Sequence, residues 1–312
     1  MTQETTVPYK DPAGPDAVGL ICGQPFEVYQ ASPAFGVHDL DDLTPHPLLF
    51  YKKHVAKTLK EDRDSAALAF GRYFHALALE GEEACSARFV KPPTDAPQRP
   101  QARWLKAKAP KPEFVAAEKW WLDWEAANKG KEQVAEEDSK LAWRMVQSIR
   151  EKPSLCALLD AKLGAPEVTF RVQMKSFQLQ CRCDWFIIKP TDGGPPMDID
   201  FKTIDRLEDF DRHFLNFGYY RQAAFYRAVM AKVLGLQDME PQMRFLVVEK
   251  NEPFQCVIRD PDAQSLDLGW REIEHDLLRL KGCFESNQWP GEPDLPRPVS
   301  LPEWKIRQAQ LL

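Results

Sequence analysis

Asp198, Asp200 and Lys202 alternate along the run Met197-Asp-Ile-Asp-Phe-Lys-Thr203, and no other stretch of the chain carries a stronger chemical signal. A period of two places Met197, Ile199, Phe201 and Thr203 on one face of a short strand and the three charged residues on the other. Two carboxylates and an ammonium on an otherwise apolar strand are costly to cover unless something binds there. A divalent cation held through carboxylate oxygen, with a phosphate beside the lysine, accounts for all three. Taken alone, the run fits a solvated edge strand with an Asp–Lys ladder equally well.

The flanking elements narrow that choice. Gln178 to Ile188, which contains Asp184, reads as a preceding strand, and it gives way to the turn formers of Lys189 to Pro196. The hairpin this implies sets Asp184 and Asp200 side by side on adjacent strands. Pro166 to Met174 offers another strand, carrying Glu167. Downstream, Phe214 to Leu234 reads as one helix with Tyr219, Gln222 and Tyr226 on a single face. Upstream, Ser65 to Leu79 is helical, with Gly71 and His75 sharing a face.

Taken in order, Gly71-xxx-His75, Glu167, Asp184, Asp200-x-Lys202 and Gln222-xxx-Tyr226 resemble the motifs of PD-(D/E)XK nucleases of the RecB-like branch. The chain is more similar still to the RecE (exonuclease VIII) C-terminal nuclease-domain family of prophage recombination systems. Gly71 to Glu80 resembles that family's histidine helix, and Phe245 to Lys250 with Pro253 and Val257 its strand–turn–strand. Trp289-Pro-Gly291 and Leu301-Pro-Glu-Trp304 resemble its C-terminal signature. The resemblance runs from about Pro47 to Trp304.

That resemblance implies an α/β fold with a PD-(D/E)XK restriction-endonuclease-like core, a mixed central sheet flanked by helices. It implies Asp184, Asp200, His75 and the Phe201 carbonyl as metal ligands, with Mg²⁺ as the cofactor and Mn²⁺ as a substitute. Lys202 would position the attacking water, and Glu167 would support a second metal or that water. Gln222 and Tyr226 would contact the scissile strand or brace Lys202. The implied activity is a metal-dependent exonuclease acting 5′-to-3′ on ends of linear double-stranded DNA in phage or prophage-type recombination. The implied partners are a single-strand annealing protein and further copies of the chain, in a homo-oligomer of tetrameric-ring type. A RecB-like endonuclease or a single-strand exonuclease would share these motifs. A non-catalytic DNA-end-binding recombination scaffold is a third reading, against which the intact set His75, Asp184, Asp200 and Lys202 speaks. Asp198 departs from the pattern, since the position is usually apolar, and it is not counted as a ligand.

Composition sets outer bounds. A chain of 312 residues can bury a substantial core. Residues 1–40, rich in Pro, Gly, Asp and Thr, read as an extended or partly disordered arm, and 41–312 as a single nuclease domain with helical insertions. No apolar run approaches the roughly 20 residues of a membrane span, and no signal-peptide core is present, so a cytoplasmic protein without membrane contact is expected. Seven scattered cysteines, an odd count, suggest reduced thiols. Cys181-x-Cys183 lacks cluster-type spacing, so no iron–sulfur cluster is expected.

The net charge of −6 is adverse for DNA unless charge is segregated. Lys91, Arg99, Arg103, Lys106, Lys108, Lys111 and Lys119 supply one basic stretch, with Trp104 as a stacking side chain. Gripping DNA and a solvated loop are equally compatible with it. Trp120, Trp121 and Trp124, and then Trp143, Val146 and Ile149, read as core faces of helices. Ala263 to Glu285 reads as an amphipathic helix packed on the sheet. His38, His46, His54, His213 and His275 have no acidic partner at a telling spacing and read as surface or core histidines.

Overall fold

The computed structural model describes residues 14–59, 65–106, 108–237, 240–294, 296, 298–301, 303 and 306–307. The chain gathers into two compact units, Met1–Val37 with Asp62–His275, and His38–Glu61 with Asp276–Leu312.

A six-stranded sheet organises the first unit. Its strands β1 (Gly19–Ile21), β2 (Gly164–Met174), β3 (Phe177–Ile187), β4 (Met197–Ile204), β5 (Gln242–Glu249) and β6 (Cys256–Arg259) lie side by side in chain order. Every neighbouring pair is antiparallel except β4 and β5, which run parallel with Asp200 opposite Phe245. A parallel pair needs a crossover. The principal helices are α1 (Ala66–His75), α2 (Pro112–Ala127), α3 (Glu136–Arg150), α4 (Phe210–Asn216), α5 (Tyr219–Leu234) and α6 (Ala263–Ser286), and α4 and α5 form that crossover. The architecture is the mixed α/β sheet flanked by helices that the sequence predicts.

Both sheet faces are covered. Phe70, Tyr73 and Phe74 of α1 and Met145, Val146 and Ile149 of α3 form one apolar cluster with Trp185, Ile199 and Phe201 of the sheet. On α5 the small residues Ala223, Ala224, Ala228 and Ala231 are buried. Cβ-only side chains let that helix approach closely, and Met230 Sδ comes within 3.7 Å of Cys183 Sγ. Strand β4 is therefore a central strand paired on both edges, which rules out the solvated-edge reading of Asp198, Asp200 and Lys202.

Three local expectations change. The stretch read as one helix from Phe214 to Leu234 is two, because Gly218 adopts a left-handed conformation (φ +65°) between α4 and α5. Helix α1 starts where Ser65 accepts a hydrogen bond from the Leu68 amide (3.3 Å), then passes into a π-helical turn at Ala76–Glu80 immediately after His75. The segment read as an extended arm also differs. Residues 1–13 lie outside the described residues, but Gly19–Ile21 adds a strand to the sheet edge at Thr169–Arg171 and Phe26–Gln30 is a short helix. Buried Arg171 explains why the segment is held. It donates to the Ala17 carbonyl (2.8 Å) and to Gln180 Oε1 (2.8 and 3.0 Å), so the arm supplies acceptors that a buried guanidinium requires.

In the second unit, Trp289 packs against Phe50, Tyr51 and Phe284, with ring centroids 6.1, 5.1 and 5.0 Å away. Leu48 donates to the Pro290 carbonyl (3.1 Å). Pro302 and Trp304, from the other C-terminal motif, lie outside the described residues. Two histidines read as lacking acidic partners have them: His54 meets Asp42 at 2.8 Å and His38 meets Asp41 at 3.3 Å. Asp42 also takes Lys53 at 2.6 Å, so one carboxylate serves an ammonium and an imidazole, an arrangement that spacing does not show. All seven cysteines are free. No helix among the described residues is long and apolar enough to cross a membrane.

Candidate active site

The β3–β4 ladder ends at the pair Trp185 and Ile199. One residue further the strands part, and Asp184 and Asp200 stand at the opening. Asp184 Oδ2 there accepts a hydrogen bond from the Phe201 amide (2.7 Å), which a strand neighbour would otherwise satisfy. Asp200 is pinned from two sides. Gln222 Nε2 on α5 donates to its Oδ1 (2.6 Å), and Lys202 Nζ lies 2.7 Å from its Oδ2. The Lys202 ammonium in turn sits over the Tyr219 ring, 4.5 Å from the centroid, with Phe245 at 5.9 Å. The break at Gly218 is what starts α5 at Tyr219 and delivers that ring under the lysine.

His75, the last residue of α1, faces the same opening. Its Nε2 is 3.1 Å from the Phe201 carbonyl oxygen and its Nδ1 is 3.5 Å from Asp184 Oδ2. It is thus beside a carboxylate and bonded to a backbone carbonyl at once. Burial works against the imidazolium, but the Asp184 carboxylate outweighs burial and raises the His75 pKa to about 8. The same pairing holds Asp184 low despite burial, which pushes the other way.

Glu167 is displaced from what its strand predicts. It has φ +54°, a left-handed backbone inside β2, which a side chain with a Cβ adopts only against strain. Its carboxylate is held by the Arg182 guanidinium of β3 rather than presented freely. Burial raises its pKa, and Arg182 offsets part of that. Tyr226, one turn beyond Gln222, is buried; burial first, and then nearby Tyr29, Cys181 and the two β4 carboxylates, hold its hydroxyl pKa well up. Neither Gln222 nor Tyr226 braces Lys202: the amide goes to Asp200, and Tyr219 with Phe245 cradles the ammonium.

Asp198 is fully buried at 0 % exposure, and neither carboxylate oxygen has a hydrogen-bond partner among the described residues. Burial, followed by repulsion from Asp200 and Asp184, pushes its pKa well above the usual carboxylate range, with the Cys183 thiol offsetting little of it. Burial and its two acidic neighbours thus favour the protonated form of Asp198. A folded state that keeps a proton the unfolded chain releases above about pH 4 loses stability progressively as pH rises from there toward the raised folded pKa of Asp198. Asp198→Asn removes this term. Relative to wild type in chelator, its melting temperature should rise more at pH 8 than at pH 4.5, with cleavage little changed. Equal melting offsets at both pH values would refute a neutral Asp198.

Residues 50–294 match the family described as a PDDEXK-like domain of unknown function (DUF3799). The chain belongs to that PDDEXK-like family. It is also similar to a solved structure from Eubacterium rectale described as a "Putative exonuclease", at 14 % identity and a TM-score of 0.53, over 86 % of this chain and 91 % of that one. No curated protein matches the chain. The family and the shared fold support a nuclease, and PDDEXK nucleases generally use divalent metal ions.

The residues present suit such an ion chemically. Two carboxylates and a backbone carbonyl are hard oxygen donors, and Asp200 Oδ2 is buried with no hydrogen bond, only the Lys202 ammonium beside it. As they stand, no three His, Cys, Asp or Glu side chains among the described residues are gathered to hold a metal. Lys202 serves Asp200, and protonated His75 serves Asp184, as internal counter-ions. A cation entering the PDDEXK site must therefore compete with one ammonium and one proton. Below pH 8 its binding should release protons, and apparent affinity should climb with pH until His75 is neutral. Calorimetry of Mg²⁺ or Mn²⁺ binding in buffers of different ionisation enthalpy measures this. Binding with no proton release at pH 7 would show that His75 stays charged and is no ligand.

Spacing did not reveal Tyr219 under Lys202 or Arg182 against Glu167. The former depends on a helix break, the latter on a cross-strand pair between residues that each read as ordinary. The basic stretch is partly self-neutralised, as Lys91, Arg99, Lys111 and Lys119 pair with Glu136, Glu125, Glu113 and Asp123. Trp104 stacks on Phe114 at 4.7 Å, leaving Arg103, Lys106 and Lys108 exposed without a carboxylate partner among the described residues.

Proposed function

We propose that this protein is a Mg²⁺-dependent exodeoxyribonuclease that hydrolyses linear double-stranded DNA from its ends. The observation that carries the reading is the buried opening between β3 and β4, where Asp184, Asp200, His75, the Phe201 carbonyl and Lys202 meet. Asp184, Asp200 and the Phe201 carbonyl, with His75 once neutral, would hold the cation. Bound there, a divalent ion lowers the pKa of a water and offsets charge on the phosphoryl oxygens.

The protein groups do the rest. Lys202 donates to the attacking water and to developing negative charge on the phosphate. Gln222 fixes the rotamer of Asp200, and Tyr219 fixes Lys202. Glu167, kept in place by Arg182, supports the water or a second cation. The water oxygen attacks phosphorus in line and gives up a proton to solvent water, the P–O3′ bond breaks, the 3′ oxygen takes a proton from solvent and leaves as a hydroxyl, and a 5′-phosphate remains. A RecE-like 5′-to-3′ polarity, a ring-forming homo-oligomer and a single-strand annealing partner complete the proposal and rest on the motif resemblance.

Digestion of 5′- and 3′-labelled linear duplex beside covalently closed circles, with and without Mg²⁺, tests it. Loss of the 5′ label first, with circles intact and no reaction in chelator, is the expected result. Cleavage of the circles would instead establish an endonuclease, and binding without cleavage a scaffold.

A further inference from the structure

Arg182 connects the candidate active site to a pair of aromatic rings. It lies two residues before Asp184 on β3, about 7 Å away along the strand, and its guanidinium donates to Glu167 and, through Nη1, to the Gln24 carbonyl (2.8 Å). On its other side the guanidinium carbon lies 5.9 Å from the centroid of Phe26 and 5.6 Å from that of Tyr29. The two rings stack on each other at 6.3 Å with 20° between planes. They sit at i and i+3 of the short helix Phe26–Gln30, so they project to one side. Tyr29 is half-buried behind, while Phe26 remains 44 % exposed.

A single exposed phenylalanine is ordinary. An exposed ring backed by a second parallel ring, with a cation fixed against both by an active-site acid, is a more specific arrangement. It matches what an unpaired nucleobase needs, an aromatic face for stacking, with the guanidinium that Glu167 neutralises holding the two rings in place. From Asp184 the path runs two residues along β3 to Arg182 and then out through its guanidinium to the rings.

We propose that Phe26, backed by Tyr29 and Arg182, is a stacking platform for an unpaired base at the DNA end, a reading that rests on the nuclease function above. Arg182 is a positioning residue here: it sets the rings and Glu167 relative to one another. The platform would favour ends with unpaired nucleotides over fully paired ones.

Equilibrium binding in chelator tests this without cleavage, using fluorescence anisotropy on blunt duplex and on duplex with a short overhang containing 2-aminopurine. Wild type should prefer the overhang and change the 2-aminopurine emission. Phe26→Ala should lose about tenfold in affinity for the overhang, with little effect on blunt duplex, and Phe26→Trp should restore both signals. Wild-type-like overhang binding by Phe26→Ala, or equal wild-type affinity for the two DNAs with no emission change, overturns the platform. If the wild-type signals and their loss in Phe26→Ala are seen but no DNA is cut with Mg²⁺, the nuclease reading fails and the platform stands.

Discussion

Asp200→Asn should abolish cleavage while leaving DNA binding intact. The amide keeps the shape of the side chain, and its oxygen can still accept from Gln222, which approaches Asp200 Oδ1 at 2.6 Å. What disappears is the charge that Lys202 faces at 2.7 Å and that a cation would use. Loss of a central charged ligand should slow turnover by at least about a thousandfold, a barrier increase of about 4 kcal/mol. Asp198→Asn is the matched control, since it deletes a carboxyl two residues away on the same strand. Burial favours the neutral form of Asp198, so that variant should cut DNA at close to the wild-type rate. The contrast separates the metal-site reading from a general effect of altering a buried strand. Asp200→Asn activity within about tenfold of wild type, about 1.4 kcal/mol, would refute the assignment.

The sequence showed the acids because their signal is local. Asp198, Asp200 and Lys202 break the apolar alternation of one strand, and a run of turn formers ending at Pro196 ties that strand to the one carrying Asp184. His75 was legible only through motif order, since 126 residues separate it from its Phe201 carbonyl partner. Other features depend on events with no periodic trace. A left-handed Gly218 splits a segment whose flanks both favour helix, and that split makes Tyr219 the support of Lys202. Glu167 reads as a strand acid, yet its φ of +54° and its ion pair to Arg182 arise only when β2 and β3 are laid together. The first forty residues read as an extended or partly disordered arm because their composition is turn-rich. A buried Arg171 needing carbonyl acceptors recruits part of that segment to the sheet. Composition reports what a segment can do alone, and burial of a distant partner decides what it does in the fold.

Lys202→Ala should reduce the single-turnover cleavage rate by at least about a hundredfold while leaving divalent-cation affinity unchanged or tighter. Burial lowers the Lys202 pKa, but the Asp200 carboxylate and then the Tyr219 and Asp184 environment raise it further, so the side chain is an ammonium at neutral pH. It therefore acts as a donor toward water and phosphate rather than as a base. The rival role is charge balance alone, with Lys202 merely filling in for the cation at Asp200. That rival allows the same tighter metal binding but predicts an unchanged rate, because the ammonium would be only a competitor for Asp200. Removing one member of a buried ion pair is itself destabilising, by roughly 3–5 kcal/mol. The comparison therefore belongs at saturating Mg²⁺, where the cation replaces the missing charge, with Lys202→Met as a second variant that keeps the side-chain bulk over Tyr219. Metal titration and single-turnover cleavage on both variants decide the matter. A rate that survives the loss of the ammonium would leave Lys202 as a counter-ion, and the attacking water would have to be oriented from the Glu167 and Arg182 side of the opening.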